Sequence, residues 1–197
     1  MLSIPREKNP CADLTGKYCS VNQPDTNVWY LAGTFGNTTL INRKCTIPQG
    51  RAIFFPILVK EDSLAEDTDL KTELELVKRS KQATDRLIDI EAAIDGNIID
   101  RLEKYRVRTP VFDLEFPVDN VYNVRPGFTR SVCDGYWMFI RPLTTGRHHI
   151  YFRGETSLDV DFTMNQLRSN DLHTGIWNHI ANRPTFKVEV SYEMTVY

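Results

Sequence analysis

Histidine and aspartate side chains in the last third of the sequence are its best candidates for metal binding. Three of the four histidines and two nearby aspartates make up the candidate site: His149, His173, His179, Asp159 and Asp161. Imidazole and carboxylate groups of this kind bind transition metals. Asp159 and Asp161 share one face if their segment is a strand, and this placement also suits a structural Ca²⁺. The alternative is that all five are ordinary solvated side chains.

Two of the histidines are adjacent, and their spacing argues against a shared metal ion. Neighbouring residues of a strand point to opposite faces, so His148 and His149 cannot easily bind one metal together. A cupin-like site needs histidines two residues apart, and this chain does not supply that spacing. A metal-dependent enzyme therefore requires the fold to bring His173 and His179 close to His149.

Large aromatic side chains provide a second candidate site, for stacking on a sugar ring or packing against a protein partner. The candidate ligand-binding residues are Tyr136, Trp137 and Tyr151. In the expected strand register, Trp137 shares its face with Phe139 and Arg141. A core position for Trp137 is the alternative, and the usual burial of tryptophan favours it.

The four cysteines, Cys11, Cys19, Cys45 and Cys133, are candidates for disulfide bonds. None belongs to a C-x-x-C pair, which weakens zinc-ribbon and thioredoxin-like interpretations. Cys11 and Cys19 bracket a short polar loop that a local disulfide can close, and Cys45 and Cys133 can join two sheets. An even number of cysteines fits an oxidising compartment. The alternative is that all four are ordinary thiols.

No nucleophile or phosphate-binding motif is present. The sequence contains no G-x-S-x-G, no P-loop and no G-x-G-x-x-G, and Cys133 has no histidine at the spacing of a known thiol enzyme. A net charge of −2 makes nucleic acid a poor partner. The longest apolar run, 52–59, is far shorter than the roughly 20 residues that span a bilayer. We therefore expect no nucleic-acid partner and no membrane span.

The elements that position these residues are predominantly strands. Alternation of apolar and polar residues predicts strands at 88–92, 112–116, 135–141, 147–153 and 186–196, and Asp95-Gly96 predicts a hairpin turn. Residues 1–27 are predicted to form a loop-rich N-terminal arm, and 163–183 to be irregular or partly helical. The remaining chain, 28–197, is expected to be a single domain.

One segment, residues 62–84, is rich in charge and predicts an amphipathic helix. Ser63 and Glu66 have the spacing of a capping box at its start. Leu70, Leu74 and Val77 follow at helical spacing and predict one narrow apolar stripe. About eight to ten short strands, one helix and no βαβ rhythm predict a mainly β fold. The expected architecture is an antiparallel β-sandwich, jelly-roll or Ig-like, with this helical insertion.

Four segments resemble an uncharacterised family of prokaryotic proteins. They are VWYLAGTFG, RKCTIPQGRAIFFPIL, CDGYWMFIRPLTTGRHHIYFRGE and FKVEVSYEMTV, and they match the family's W-x-L-A-G-T-x-G, C-T-x-P-x-G-x-A-x-F-F-P and D-G-Y-W patterns. The resemblance covers about half the chain and implies a β-sandwich and an extracytoplasmic location. It assigns no activity. A cytoplasmic location is the alternative, because MLSIPREKNP lacks the apolar region of a signal peptide.

The function that these observations predict is a non-enzymatic module that binds a glycan or a protein partner through a strand face or loops. The first alternative is a metal-dependent enzyme that uses the histidine and aspartate side chains named above. The second is a structural or oligomeric component of the cell envelope, with the charged helix as an interaction arm. Function assigned from fold alone is an analogy, so the site must decide among them.

Overall fold

The structure is a computed structural model and describes residues 1–36, 39–158 and 185–197. Strand residues make up 46% and helix 11%, so the prediction of a mainly β fold is confirmed. The elements are β1 (Val28–Tyr30), β2 (Ile41–Ile47), β3 (Ala52–Ser63), α1 (Glu73–Thr84), β4 (Leu87–Ile94), β5 (Asn97–Ile98), β6 (Arg106–Arg108), β7 (Phe112–Phe116), β8 (Gly127–Ile140), β9 (Gly146–Ser157) and β10 (Thr185–Val196). Short 3₁₀ helices lie at Arg6–Lys8 and Leu102–Tyr105.

The strands form two five-stranded sheets. Sheet A has the order β1-β3-β8-β6, with β7 also paired to β8, and sheet B has the order β2-β10-β9-β4-β5. Apolar side chains from both sheets join one buried cluster, because alternate residues of each strand point inward. Phe55 of sheet A stacks on Phe152 of sheet B at a centroid distance of 5.2 Å. The two sheets therefore share one core.

Both sheets are mixed rather than antiparallel throughout, which corrects the prediction of an antiparallel fold. Strand β1 pairs with β3 in parallel, and β2 pairs with β10 in parallel. The chain reaches β3 from β1 by passing through β2 in the other sheet, so it re-enters sheet A in the same direction. No helical crossover is needed for this pairing, and the sequence accordingly shows no βαβ rhythm.

The predicted helix is confirmed near its end but not at its start. Residues 62 and 63 still belong to β3, where Ser63 pairs with Ser131 of β8. Glu66 N donates to Ser63 Oγ, as in a capping box, but Ser63 Oγ donates to the Glu66 carboxylate and the two residues close a turn. The capping box of α1 lies later, at Thr72 and Glu75.

The buried stripe of α1 also differs from the prediction. Leu76, Ser80 and Thr84 are buried, whereas Leu74 is 78% exposed. Two hydroxyl residues suit this face because the helix lies close to strand backbone: Ser80 donates to Lys60 O at 3.2 Å and Thr84 donates to Asp134 O at 3.1 Å. No helix in the described residues is long and apolar enough to cross a membrane.

Short-range sequence signals locate most strands correctly. The Asp95-Gly96 turn joins β4 to β5 with positive φ values of 50° and 78°, as a type I′ hairpin requires. The β8–β9 hairpin turns at 141–145, where it was predicted. Strand β10 buries the alternate residues 188, 190, 192, 194 and 196. The segment 163–183, predicted to be irregular or partly helical, lies outside the described residues.

The disulfide joins two of the four candidate cysteines. Cys19 of the N-terminal arm bonds to Cys45 of β2, while Cys11 and Cys133 are free thiols. The sequence left the pairing open, and neither a local Cys11–Cys19 bridge nor a Cys45–Cys133 bridge is formed in the structure. Backbone packing explains the observed pairing, because Lys44 N donates to Thr15 O at 2.9 Å and so aligns the arm with β2. The arm is covalently fixed to sheet B.

A buried arginine completes this attachment. Arg43 of β2 is 1% exposed and donates to five oxygens at 2.7–3.2 Å: Asp13 O, Cys11 O, Ala32 O, Gly33 O and Tyr192 Oη. Tyr192 Oη donates in turn to Ala32 O at 2.9 Å. These contacts join the arm, the segment after β1, and strands β2 and β10.

We predict that Arg43→Met destabilises the protein by about 3 kcal/mol or more, because several buried carbonyl oxygens lose their donor at about 1–3 kcal/mol each. Urea unfolding measures the change. Lys44→Met is the matched control, since Lys44 is the next residue of β2, is exposed, and should change stability by less than about 0.5 kcal/mol. Equal stability of the two variants would contradict the prediction.

We also predict two free thiols per chain in denatured, unreduced protein that has been folded in a glutathione redox buffer. Cys19→Ser and Cys45→Ser should each lower stability by about 3–4 kcal/mol, since the bond closes a loop with a sequence separation of 26. Cys11→Ser is the control that leaves the bond intact. A thiol count of zero or four, or equal effects of all three variants, would show that this pairing is incorrect.

Candidate functional site

The outer face of sheet A carries a row of aromatic side chains, of which Tyr30 and Phe139 are exposed and Phe54 and Trp137 are half-buried. We call Tyr30, Phe54, Trp137 and Phe139 the aromatic surface. The register places Tyr30 of β1 opposite Phe54 of β3, and Phe54 opposite Phe139 of β8. Trp137 lies two residues before Phe139 and therefore on the same face of β8. Three adjacent strands thus present rings to one side of the sheet.

The rings of the aromatic surface contact one another. Phe54 stacks on Trp137 at a centroid distance of 5.3 Å and meets the edge of Tyr30 at 5.5 Å. Phe139 is 61% exposed and Tyr30 is 39% exposed. The Trp137 indole N–H donates to Val107 O of β6 at 3.1 Å, which fixes the ring. The surface is therefore a preformed apolar area of an ordered sheet.

Strand alternation explains why these rings point outward. Ile53, Phe55 and Met138 occupy the intervening positions of β3 and β8 and are buried in the core. Tyr30 follows buried Trp29 in the same way. The aromatic residues therefore remain outside because their neighbours supply the inward face.

The three aromatic residues predicted to bind a ligand lie in three different environments. Tyr136 is 6% exposed and belongs to the core. Trp137 lies on the outer face beside Phe139, as its register predicts. Tyr151 lies on the outer side of β9 in sheet B. The structure therefore brings Trp137 together with Phe139 and Phe54, and not with Tyr151.

Tyr151 belongs to a polar surface on sheet B. Its hydroxyl donates to Glu189 at 2.9 Å. Burial and this hydrogen bond raise the pKa of Tyr151 to about 12. Beside it, His149 Nε2 lies 2.7 Å from Ser191 Oγ. Among the predicted site residues that the structure describes, Tyr151 and His149 share this face.

Most of the predicted metal ligands, namely His173, His179, Asp159 and Asp161, lie outside the described residues. Among the residues that are described, no group of three histidine, cysteine, aspartate or glutamate side chains is arranged to hold a metal. The metal site stays a prediction from the sequence.

Sequence reasoning missed a group of carboxyl side chains between β3 and α1. We call Glu61, Asp62, Glu66 and Asp67 the carboxyl cluster. Ser131 Oγ donates to Glu61, and Ser63 Oγ donates to Glu66 at 2.7 Å. Carboxyl groups that are buried close together disfavour the ionisation of one another. The sequence signal for the carboxyl cluster is the run of charged residues at 60–67. Most of this run was assigned to the predicted helix at 62–84, so the cluster was not recognised.

Both glutamates of the carboxyl cluster have raised pKa values, and the cluster forms ion pairs with neighbouring basic side chains. Burial raises the pKa of Glu61, and burial together with the nearby Glu61 raises the pKa of Glu66. Lys60 lies 2.8 Å from Asp62, and Arg79 lies 2.8 Å from Asp67. Burial and the charge of Glu61 also raise the pKa of Cys133 to about 12, so its thiol stays protonated at neutral pH and is a poor nucleophile.

We predict that Glu66→Gln reduces the loss of stability that the wild-type protein shows between pH 5 and pH 8. A carboxyl with a raised folded pKa contributes stability below its unfolded pKa of about 4.3, and this stability is lost as the pH rises through the folded pKa. The loss amounts to about 1.4 kcal/mol for each pH unit by which the folded pKa exceeds the unfolded one, and urea unfolding measures it.

The matched control is Glu75→Gln in the exposed capping box, where backbone N–H groups of Lys71 and Thr72 lower the carboxyl pKa. Glu75 is ionised throughout this pH range, so its substitution changes stability by the same amount at pH 5 and pH 8. If the stability of Glu66→Gln and that of the wild-type protein change in parallel with pH, the pKa of Glu66 is not raised in the folded protein.

Comparison with known proteins adds no family to this description. No protein-family model, no curated protein and no solved structure matches the chain. The resemblance to an uncharacterised prokaryotic family therefore stays a prediction from the quoted segments. The function must be argued from the two outer faces and the buried groups described above.

Proposed function

We propose that this protein is a non-enzymatic binding module that receives a carbohydrate on its aromatic surface. The observation that carries the proposal is the row of rings on three adjacent strands, with Phe139 61% exposed. Exposed apolar areas of this kind mark interaction sites in folded proteins. An ordered sheet holds the rings in place before the ligand arrives, which lowers the entropic cost of binding.

The side-chain chemistry of the surface favours a sugar over a protein. The C–H face of a pyranose ring is apolar and packs on the face or edge of an aromatic ring, while its hydroxyl groups remain at the rim. The four side chains of the surface are all aromatic and none is charged. Arg141 is exposed just after the end of β8, two residues beyond Phe139, and its guanidinium group offers hydrogen-bond donors to a hydroxyl group.

Two further features support the proposal. The Cys19–Cys45 bond fits an extracytoplasmic location, where free polysaccharides and surface glycans are found. The two packed sheets fit a β-sandwich of the jelly-roll or Ig-like type, and jelly-roll folds include lectins. This second argument is an analogy of fold, so the aromatic surface remains the main support.

We predict that the wild-type protein binds glycans on an array and that Phe139→Ala weakens binding about tenfold or more, as truncation of a central interface side chain does. Trp137→Ala should have the same effect. Phe128→Ala is the matched control: Phe128 also lies in β8 and is 78% exposed, but it pairs with Glu115 away from the surface. Calorimetry with a glycan found on the array measures the affinities.

Three outcomes are informative. Loss of binding in Phe139→Ala and Trp137→Ala but not in Phe128→Ala supports the proposal. Glycan binding that survives both substitutions places the site elsewhere. Absence of glycan binding in the wild-type protein overturns the proposal, and a stable complex with a purified surface protein that Phe139→Ala abolishes would assign the surface to a protein partner.

A further inference from the structure

A histidine side chain connects two hairpin turns at one end of the molecule. His148 Nδ1 lies 2.7 Å from Asp95 Oδ2, in the β4–β5 turn. His148 Nε2 lies 2.8 Å from Thr144 O, in the β8–β9 turn. The side chain of His148 is 12% exposed and that of Asp95 is 41% exposed.

Both partners of the ring are hydrogen-bond acceptors. Asp95 offers a carboxylate oxygen and Thr144 a carbonyl oxygen. A neutral imidazole has one N–H group and can satisfy only one of them, whereas an imidazolium has two N–H groups and satisfies both. The Thr144 hydroxyl is 3.4 Å from Nε2 and makes at most a long contact. The observed geometry therefore fits the protonated ring.

The Asp95 side chain is itself held in place. Its Oδ1 accepts a hydrogen bond from His149 N at 2.8 Å, and its own N–H donates to His149 O at 2.8 Å. The positive φ of Asp95 fixes the direction of the turn. The carboxylate thus faces His148 because of the backbone, whatever the charge of the ring.

We propose that His148 is a proton-operated clasp that fastens the β8–β9 turn to the β4–β5 turn. Protonation supplies the second N–H group and closes the clasp, and deprotonation leaves either Asp95 or Thr144 O without its donor. The β8–β9 turn then loses one of its two attachments, the other being Leu143, which packs against the core. This inference does not depend on the carbohydrate proposal.

Other charged groups border the same place. His148 lines a shallow depression of about 690 Å³ together with Lys44, Arg147, His149 and Glu193. Glu193 lies 3.6 Å from Lys44 and is exposed. The cross-strand partner of His148 on β10 is uncharged Met194. Asp95 raises the pKa of His148, mainly through its hydrogen bond to the ring and to a smaller extent through its negative charge.

The pKa shifts of His148 and Asp95 together give the direction in which folding stability changes with pH. The raised His148 pKa gives stability that is complete below the unfolded value of about 6.5 and is lost as the pH rises through the folded value. Burial alone would raise the Asp95 pKa, but hydrogen bonds from His148 and His149 N outweigh burial and lower it. Asp95 therefore contributes stability above about 3.9, which is lost as the pH falls through its folded pKa. The clasp is closed between these limits.

The test is a histidine titration by long-range ¹H–¹⁵N NMR on the full chain. We expect the resonance that disappears in His148→Gln to show both ring nitrogens protonated at pH 6 and to titrate above about 6.5. Asp95→Asn should move this pKa downward. Between pH 6 and pH 9 the wild-type unfolding equilibrium constant should rise relative to His148→Gln, by about tenfold for each pH unit that separates the folded pKa from the unfolded one.

His149→Gln is the matched control, because the ring of this neighbouring histidine contacts Ser191 Oγ, and its contacts with Asp95 are made by backbone groups that the substitution keeps. It should keep the wild-type pH dependence. A neutral His148 ring at pH 6, or an unfolding pH profile that His148→Gln leaves unchanged, overturns the proposal. Neither result bears on glycan binding, so the two proposals can fail separately.

Discussion

A buried guanidinium group without an ion-pair partner must direct its N–H groups at neutral oxygens, and this requirement organises one side of the molecule. Arg43 makes no ion pair among the described residues and donates instead to carbonyl oxygens of two separate segments and to Tyr192. Those segments include the N-terminal arm, which has no strand to hold it. Carbonyls left without donors would be costly, so the arm, β2 and β10 have to form together. The Cys19–Cys45 bond lies on the same strand and covalently reinforces the arrangement.

With the core closed in this way, the two outer faces differ in chemistry. The aromatic surface of sheet A consists of uncharged rings, whereas the outer face of sheet B presents ion pairs such as Arg153 with Asp89 and Lys187 with Glu189. A charged face of this kind is well solvated and needs no partner. Exposed rings gain free energy when they leave water, because the hydrophobic effect scales with apolar area. The asymmetry is the reason for placing the binding function on sheet A.

Local patterns in the sequence predicted the features that depend on near neighbours. Alternation located β7, β9 and β10, and the Asp95-Gly96 pair located a hairpin, because each depends on residues a few positions apart. The start of α1, the parallel pairs and the disulfide depend on contacts distant in sequence. Ser63 stays in β3 because Ser131, far along the chain, pairs with it. The aromatic surface was predicted only in part. Trp137 and Phe139 lie in the same strand, whereas Phe54 and Tyr30 belong to two other strands whose pairing the sequence does not show.

Glu66 and His148 illustrate opposite physical causes for a raised pKa. The pKa of Glu66 is raised because burial and a neighbouring carboxyl disfavour a negative charge. The pKa of His148 is raised because Asp95 favours a positive charge. The two lie at opposite ends of the β3–β8 ladder, where Glu61 pairs with Cys133 and Ile53 pairs with Ile140 just before the β8–β9 turn. The carboxyl cluster therefore lies at the connection from β3 to α1, and the clasp lies at the β8–β9 hairpin turn that follows Phe139.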